Sequence, residues 1–198
     1  KPLIQYVVDR ALQAKRVDRV IVAADHADFQ RAVTGADVVL TRPDHPNGTS
    51  RIAEVAESLD APIIVNVQGD EPEVDPAVID QLVDGLIADP DAPMATLAAD
   101  FAGDEDPADP NIVKLIVDAH GRAIYFSRSI IPFDRDNVGH RPLKHPGLYA
   151  YRRDFLLKYV TLAATPLEQI EKLEQLRAIE HGYKIAVIKA NIRHHGID

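Results

Sequence analysis

The sequence predicts an α/β fold, a three-layer sandwich in which helices cover both faces of a mostly parallel sheet. Short apolar runs, such as Val-Ile-Val-Ala at residues 20–23 and Ile-Ile-Val at residues 63–65, are typical of buried strands, and helical patterns follow them. Strands and helices that alternate in this way form parallel sheets with helices on both faces. After residue 100, two strand patterns flank Asp-Ala-His-Gly, which predicts a β-hairpin insertion.

Composition limits the function classes. The chain has 198 residues, 46% hydrophobic and 27% charged, which suits one domain over residues 1–198 with a sizeable core. Its net charge of −9 argues against nucleic acid as a partner. We see no secretory leader and no apolar run near the ~18 residues of a membrane span, so we expect no membrane partner and a cytoplasmic location. Cysteine is absent, which excludes disulfides and thiolate metal sites.

Eight elements are predicted before residue 100. Pro2 is tolerated in a first helical turn, and Asp25 and Gly35 are a candidate cap and stop for the second helix. Asp75 is a cap followed by a first-turn proline. The predicted order is helix 2–14, strand 20–23, helix 26–35, strand 38–40, helix 49–59, strand 62–67, helix 76–88 and strand 94–98. Since such folds usually begin with a strand, we expect a strand and its loop to precede residue 1.

The second half of the chain has a different pattern. The segment Thr-Pro-Leu-Glu at residues 165–168 has the residue types of a capping box, so a helix is predicted to begin there and to end before Gly182. The predicted order is strands 112–118 and 122–127 of the hairpin, a polar loop 128–146, strand 147–151, helix 154–162, helix 166–181 and strand 184–190.

Polar groups at the ends of three predicted strands are the first candidates for chemistry, because open parallel sheets bind ligands beyond the carboxyl ends of their strands. These groups are Asp25-His26, Thr41-Arg42 and Gln68-Gly69-Asp70. A carboxylate at a strand end, beside a glycine that lets a ligand approach, suits Mg²⁺, so Asp70 is a candidate metal ligand. The alternative is that Asp70, Glu71 and Glu73 are acids near the start of the next helix.

Arginines supply candidates for binding an anionic ligand. Arg42, with Gly48 allowing close approach, suits a phosphate or a base, although an ordinary loop arginine is the alternative. Arg128 ends a strand and begins a loop, which favours anion binding. Neither a dinucleotide-binding glycine motif nor a P-loop is present, so those two classes lose their main support.

Other polar residues are weaker candidates on spacing alone. His145 and Tyr149 suit a hydroxylated ligand, although Tyr149 also fits a half-buried strand position. Glu174 and Gln175 lie on a predicted helix, where a solvated face is the alternative. The terminal Arg-His-His-Gly-Ile-Asp suggests a transition-metal site, but adjacent histidines near a chain end are more often incidental.

Seven segments nevertheless form an ordered set across nearly the whole chain. They are KPLIQYVVDRA, TRPDHPNGTSR, VNVQGDEP, NIVKLIVD, YFSRSIIPFDRD, HPGLYAYRR and PLEQIEKLEQLR. Together they resemble the 3-deoxy-manno-octulosonate cytidylyltransferase family. The resemblance implies a fold of the nucleotide-diphospho-sugar-transferase type. It also implies that CMP is transferred from CTP to 3-deoxy-D-manno-octulosonate (Kdo) with release of pyrophosphate, for lipopolysaccharide biosynthesis.

The resemblance also implies roles for individual residues. Asp70 corresponds to a catalytic Mg²⁺-binding aspartate, with Asp198 as its partner. The residues implied on the nucleotide side are Arg42, Gly48, Thr49, Gln68 and Gly69. The residues implied on the sugar side are Arg128, which is also expected to act in catalysis, His145, Tyr149, Glu174 and Gln175. A homodimer is expected, with the YFSRSIIPFDRD region and the hairpin as the candidate contact.

The sequence departs from the family pattern in three ways. The family's basic loop for the triphosphate and its last helix are not in residues 1–198, so we expect a domain truncated at both ends. His194 and His195, close to Asp198, stand where small residues are usual. Two alternatives stay open: another sugar-acid cytidylyltransferase, such as the sialic-acid type, and a non-catalytic nucleotide-binding domain.

Overall fold

The computed structural model describes residues 1–190, in which seven helices and nine strands form. The helices are α1 (Leu3–Ala11), α2 (Asp28–Ala32), α3 (Gly48–Glu57), α4 (Pro76–Ala88), α5 (Arg153–Tyr159), α6 (Pro166–Glu171) and α7 (Leu176–Glu180). The strands are β1 (Ile21–Ala24), β2 (Asp37–Leu40), β3 (Ile63–Asn66), β4 (Met94–Asp100), β5 (Lys114–Val117), β6 (Ala123–Ser127), β7 (Leu143–Lys144), β8 (Tyr149–Arg152) and β9 (Ile185–Lys189). None of these helices is long and apolar enough to cross a membrane.

The described strands form two sheets, and the larger one is mostly antiparallel. In that sheet β8 pairs antiparallel with both β3 and β4. The pairings of β4 with β7, β7 with β5, and β5 with β6 are also antiparallel. The described parallel pairs are β4 with β9 in this sheet, and β1 with β2 in a separate small sheet. The prediction of a mostly parallel sheet is therefore wrong, whereas the predicted hairpin is present as β5 and β6.

The wrong prediction has its cause in the placement of β8. Strands β3 and β4 are joined through α4 and run in the same direction, as a strand–helix–strand unit requires. They are not neighbours, because β8 lies between them and runs against both. The alternation of strands and helices indicated the direction of successive strands. It carried no information about a strand such as β8, which comes from a later part of the chain and is inserted between them.

Local predictions had mixed outcomes. Asp25 does not cap α2, whose N-cap is Ala27, and instead accepts a hydrogen bond from Arg51 (3.3 Å). The single helix predicted over residues 166–181 is instead two helices, α6 and α7. Lys172, between them, has the left-handed backbone conformation (φ 55°). The polar loop predicted before β8 contains the short strand β7. Asp75 caps α4 as predicted, since its carboxylate accepts a first-turn backbone N–H.

The large sheet has a hydrophobic core on each face. Along β4, Ala95 and Leu97 pack with α1 and α4 on one face, while Met94 and Ala98 pack with α3, α5 and α7 on the other. All residues of β4 before its last are buried. A strand covered on both faces has no exposed position, which explains why this stretch of sequence is almost continuously apolar. Thr96 is the polar residue of its buried part.

Two consecutive arginines connect the helix layers to the sheet. Arg152, at the end of β8, donates to the carbonyl oxygen of Leu86 in the last turns of α4 (3.0 Å). Arg153, at the start of α5, donates to the carbonyl oxygens of Ala56 and Glu57 at the end of α3, both at 2.9 Å. The final carbonyl groups of a helix lack partners within it and carry partial negative charge, so each guanidinium stabilises one helix end.

Gly85 in α4 generates a first testable prediction. A Cβ atom at this position would lie 2.2 Å from Cγ1 of Ile188 in β9. Alanine normally stabilises a helix interior by about 1 kcal/mol relative to glycine, but overpacking a core costs roughly 1–3 kcal/mol. We expect Gly85→Ala to lower the free energy of unfolding by about 1 kcal/mol, as measured by urea denaturation.

The matched control is the same change in an Ile188→Ala background, where the two obstructing carbon atoms are gone. In that background Gly85→Ala should be neutral or stabilising. Equal destabilisation in the two backgrounds would show that contact with Ile188 is not the cause.

Candidate functional site

The candidate site lies where β4 changes partners. As far as Thr96 this strand pairs with β8, and at Ala99 and Asp100 it pairs with β7. The turn between β7 and β8 therefore meets β4 between these two pairings. Thr96 is fully buried there, and its hydroxyl group donates to the carbonyl oxygen of Leu148 in the turn (2.7 Å). This hydrogen bond fastens the turn to the strand.

His145, in this turn, is in contact with two of the other predicted sugar-side residues. Its Nε2 lies 2.8 Å from Oγ1 of Thr96, and its Nδ1 lies 3.5 Å from Nε2 of Gln175. The ring packs against Tyr149, with centroids 5.5 Å apart, and meets Phe126 edge-on at 4.8 Å. Desolvation lowers the pKa of His145 to about 3, because it disfavours the charged imidazolium. The ring is thus neutral at physiological pH and serves as a hydrogen-bonding group.

Glu174 connects the predicted nucleotide and sugar sides. Oγ1 of Thr49, in the first turn of α3, donates to Oε2 of Glu174 at 3.0 Å. The other carboxylate oxygen, Oε1, is buried and has no hydrogen-bond partner among residues 1–190. Desolvation raises the pKa of Glu174, and the hydrogen bond from Thr49 and the charge of Arg177 offset only part of this effect. A carboxylate in this condition suits a position that receives hydrogen-bond donors from a ligand.

The end of β3 brings two predicted nucleotide-side residues together. A Cβ atom on Gly48 would lie 3.8 Å from Oε1 of Gln68, so the start of α3 is close to this amide. Nε2 of Gln68 donates to Oδ1 of Asn66, the buried last residue of β3 (3.4 Å). Nδ2 of Asn66 has no partner within the described part of the chain. Gly48, Thr49 and Gln68 therefore form one region, which contacts Glu174, and the neighbouring Gln175 contacts His145 in the β7–β8 turn.

Arg128 is held by a separate network. Its Nε donates to the carbonyl oxygen of Glu171 and its Nη1 to that of Pro110, both at 2.8 Å. Its backbone N–H donates to the carboxylate of Glu171 at 3.0 Å. Lys114 is fully buried and donates to three backbone carbonyl oxygens, including that of Arg128. These contacts fix the guanidinium, and none of them involves His145.

Asp70 lies exposed just beyond the end of β3. A Cβ atom on the preceding Gly69 would lie 3.4 Å from Cδ1 of Ile4, so this turn packs against α1. Glu71 is half-buried, and its pKa is raised first by burial and then by the charge of Asp70. No group of three or more potential metal ligands occurs within residues 1–190. Asp198, the predicted second ligand, is outside the described residues, as are His194 and His195.

Arg42 is separate from the cluster around Glu174. Its side chain is 69% exposed, and its Nε donates to the carboxylate of Glu54 at 3.1 Å. Glu54 also lies 2.5 Å from Nε2 of His45, whose Nδ1 is 3.1 Å from the hydroxyl oxygen of Ser50. The loop that carries Arg42 is thus fastened to α3, while its guanidinium stays largely in solvent.

The sequence analysis did not identify three residues that support the site, namely Thr96, Lys114 and Glu171. Thr96 had a readable signal, because a hydroxyl residue inside an apolar strand needs a buried hydrogen-bond partner. Lys114 had a weaker one, as a lysine at the start of an otherwise apolar strand. No sequence pattern indicates the role of Glu171, because this residue is 43 residues from Arg128 in the sequence and contacts it only in the folded chain.

The fold is that of a nucleotidyltransferase. A solved structure of CMP:2-keto-3-deoxy-manno-octonic acid synthetase complexed with CTP matches with a TM-score of 0.95 and 42% identity, covering 100% of this chain and 83% of that one. 4-Diphosphocytidyl-2C-methyl-D-erythritol synthase from Anaerococcus prevotii matches with a TM-score of 0.61 over 100% of this chain and 80% of that one. At 12% identity, this likeness shows the fold alone.

The chain belongs to the cytidylyltransferase family, whose sequence model matches residues 1–185. The 3-deoxy-manno-octulosonate cytidylyltransferase of Solibacter usitatus is 48% identical over 201 residues, covering 100% of this chain and 80% of the relative. The enzyme of the same name from Yersinia pestis is 50% identical over 202 residues, covering 96% of this chain and 80% of the relative. The family resemblance read from the sequence is confirmed.

The raised pKa of Glu174 generates a second prediction. The folded state disfavours the ionised carboxyl group, so wild-type stability falls as pH rises from the ordinary value of 4.5 through the raised one. Glu174→Gln keeps an acceptor for Thr49 and removes this cost. We expect the variant to gain stability over wild type, with a difference that is smallest below the ordinary pKa of 4.5 and grows as pH rises through the raised pKa. Thermal unfolding across this pH range measures the difference.

Glu57→Gln is the control, because Glu57 is exposed on α3. It should not reproduce the gain in stability expected of Glu174→Gln. A Glu174→Gln variant that is less stable than wild type at pH 8 would show that the carboxylate is stabilising, contrary to this account.

Proposed function

We propose that this protein transfers CMP from CTP to Kdo, forming CMP-Kdo and pyrophosphate. The observation that carries the proposal is the hydrogen bond between Thr49 and Glu174. It joins the residues expected to bind the nucleotide to those expected to bind the sugar. The relatives that bear the name of this enzyme, at 44–50% identity, support the choice of CTP and Kdo.

In this reaction the protein mainly positions the two substrates, and it forms no covalent bond with either of them. The anomeric hydroxyl oxygen of Kdo forms a bond with the α-phosphorus of CTP. The bond from this phosphorus to the bridging oxygen breaks, the hydroxyl proton is released, and pyrophosphate leaves. Such in-line transfer depends on holding the two reactants together and on neutralising phosphate charge. Both ring nitrogens of His145 contact protein groups, Thr96 and Gln175, so the neutral ring suits positioning of the Gln175 amide and not proton transfer.

The proposed nucleotide side comprises Gly48, Thr49, Gln68 and Gly69, together with Arg42 on its exposed loop. Gly48 suits this role because its backbone is accessible at the start of α3. The Gln68 amide beside it offers both donor and acceptor groups, which suits a nucleoside.

The sugar side comprises His145, Tyr149, Glu174 and Gln175 around the β7–β8 turn, with Arg128 at the end of β6. Kdo carries a carboxylate and several hydroxyl groups. Arg128, fixed through Glu171, supplies the cation for the carboxylate or for a phosphate, and its expected part in catalysis rests on this charge. Oε1 of Glu174 supplies an acceptor for a sugar hydroxyl group.

Mg²⁺ is the proposed cofactor, with Asp70 as its ligand. Asp70 and Glu71 fit this ion, because Mg²⁺ takes one or two protein carboxylates together with phosphate oxygens and water. Burial and, after it, the charge of Asp70 raise the pKa of Glu71, and this unfavourable negative charge supports a cation position beside Asp70. The ion, when bound, supplies positive charge to the phosphate oxygens of CTP. Asp198 stays a proposed second ligand.

The setting of the reaction is also a proposal. Lipopolysaccharide biosynthesis and a cytoplasmic location follow from the proposed product. A homodimer is supported by the exposed apolar side chains Phe133 and Val138, which are 86% and 79% accessible in the segment before β7. The mass of the purified protein in solution tests this state.

The function is tested with a substrate panel. We expect pyrophosphate release and a CMP-linked sugar from CTP with Kdo, and little product from CTP with sialic acid or with no sugar acid. Faster turnover of sialic acid would instead assign the sialic-acid type of cytidylyltransferase. CTP binding without turnover of any sugar acid would mean a nucleotide-binding domain and would contradict the proposal.

Asp70→Asn tests the metal site. The substitution keeps the size of the side chain and removes one negative charge from an exposed strand end. We expect kcat/KM for CMP-Kdo formation to fall roughly 10²–10³-fold, the usual loss for an electrostatic group of this kind. The midpoint of thermal unfolding should stay unchanged, and the Mg²⁺ concentration for half-maximal activity should rise.

Asp60→Asn is the matched control, because Asp60 is also exposed and lies before β3, at the opposite end of the same strand. It should keep wild-type activity and Mg²⁺ dependence. Turnover of Asp70→Asn within a few-fold of wild type would remove Asp70 from the mechanism.

A further inference from the structure

Thr96 makes two hydrogen-bond contacts through one hydroxyl group. Its Oγ1 lies 2.7 Å from the carbonyl oxygen of Leu148 and 2.8 Å from Nε2 of His145. Thr96 itself has no exposed surface, and Leu148 is 4% exposed. Water is therefore not available at the hydroxyl group to replace either partner. The two contacts must share one proton and the lone pairs of one oxygen.

The chemistry of the carbonyl decides where this proton goes. A carbonyl oxygen only accepts, so a satisfied Leu148 carbonyl requires Thr96 to donate to it. Thr96 then accepts from His145, which places the imidazole proton on Nε2. The reverse arrangement, with Thr96 donating to His145, leaves a buried carbonyl without this donor. A group unsatisfied in this way disfavours an arrangement roughly five- to a hundredfold in population.

The imidazole transmits this choice to Gln175. The ring carries a single proton at physiological pH, so a proton on Nε2 leaves Nδ1 as an acceptor. Nδ1 lies 3.5 Å from the Gln175 amide, at the long end of the hydrogen-bonding range, and it accepts from the NH₂ group. Phe126 and Tyr149 pack around the ring and limit its rotation. The amide oxygen of Gln175 is consequently directed away from His145.

We propose that Thr96 is a specificity-determining positioning residue, which sets the tautomer of His145 and thereby which end of the Gln175 amide a ligand meets. With Nε2 protonated, Gln175 offers its carbonyl oxygen, an acceptor that suits the hydroxyl groups of a sugar. With Nδ1 protonated, the amide turns over and offers its NH₂ group. The inference about the ligand rests on the proposed function, whereas the inference about the tautomer does not.

The tautomer is measured on the ligand-free protein by two-dimensional NMR that correlates the ring carbon-bound protons with ¹⁵N-labelled histidine nitrogens. A His145→Gln spectrum identifies the signals. Wild type should show one protonated nitrogen, Nε2. Thr96→Ser keeps the hydroxyl group and should keep this pattern. Thr96→Val keeps the shape but has no hydroxyl group, so the Nε2–H pattern should be lost to the other tautomer or to an average of both.

Kinetics then test the consequence for the sugar. Thr96→Val should raise KM for Kdo about tenfold, within the range for one misdirected hydrogen bond, and leave KM for CTP within about twofold of wild type. Thr96→Ser should restore KM for Kdo. A general loss of structure would instead raise both KM values and lower the unfolding midpoint, which separates a structural role from the proposed one.

Several results would overturn the proposal. A proton on Nδ1 in wild type contradicts it without any variant, even if Thr96→Val does not fold. A Thr96→Val protein that keeps the Nε2–H pattern shows that Thr96 does not set the tautomer. A changed tautomer with unchanged KM for Kdo shows that the amide of Gln175 does not select the sugar. Failure of the protein to turn over Kdo would contradict the proposed function and leave the tautomer result standing.

Discussion

The hydrogen bond from Thr96 to the carbonyl oxygen of Leu148 is the contact on which the arrangement of the site depends. At this point β4 ends its pairing with β8 and has not yet begun its pairing with β7. Without Thr96, the carbonyl oxygen of buried Leu148 would lose this donor, at a cost of about 1–3 kcal/mol. One hydroxyl group removes that cost. It also holds the turn that carries His145 against the sheet, so fold and site share this contact.

The site is built from polar groups that folding alone would not favour. Oε1 of Glu174 and Nδ2 of Asn66 are both buried without a partner among residues 1–190, and the Glu174 carboxyl group has a raised pKa. Each lowers the stability of the free protein. The same groups become useful when a ligand supplies the missing donors and acceptors. The polar groups that lower the stability of the free protein are therefore the ones available to bind a ligand.

The sequence predicted the helices and strands well and their arrangement poorly. Apolar runs and caps such as Asp75 are local features, so they could be recognised in isolation. The position of β8 between β3 and β4 depends on contacts between distant segments, which no local pattern records. The ordered motifs identified the family and hence the candidate residues. They gave no sign that Glu171 holds Arg128, or that Thr96 lies against His145, because these pairs meet only in the folded chain.

The adjacent arginines at the end of β8 limit where the chain can accept an inserted residue. Arg152 reaches the end of α4 on one face of the sheet, and Arg153 reaches the end of α3 on the other. Successive side chains at the end of a strand point to opposite sides. An insertion of one residue just before this pair would therefore exchange their directions and leave both helix ends without a cation. Evolutionary length variation in this protein should avoid that junction and accumulate in the loops on either side of it.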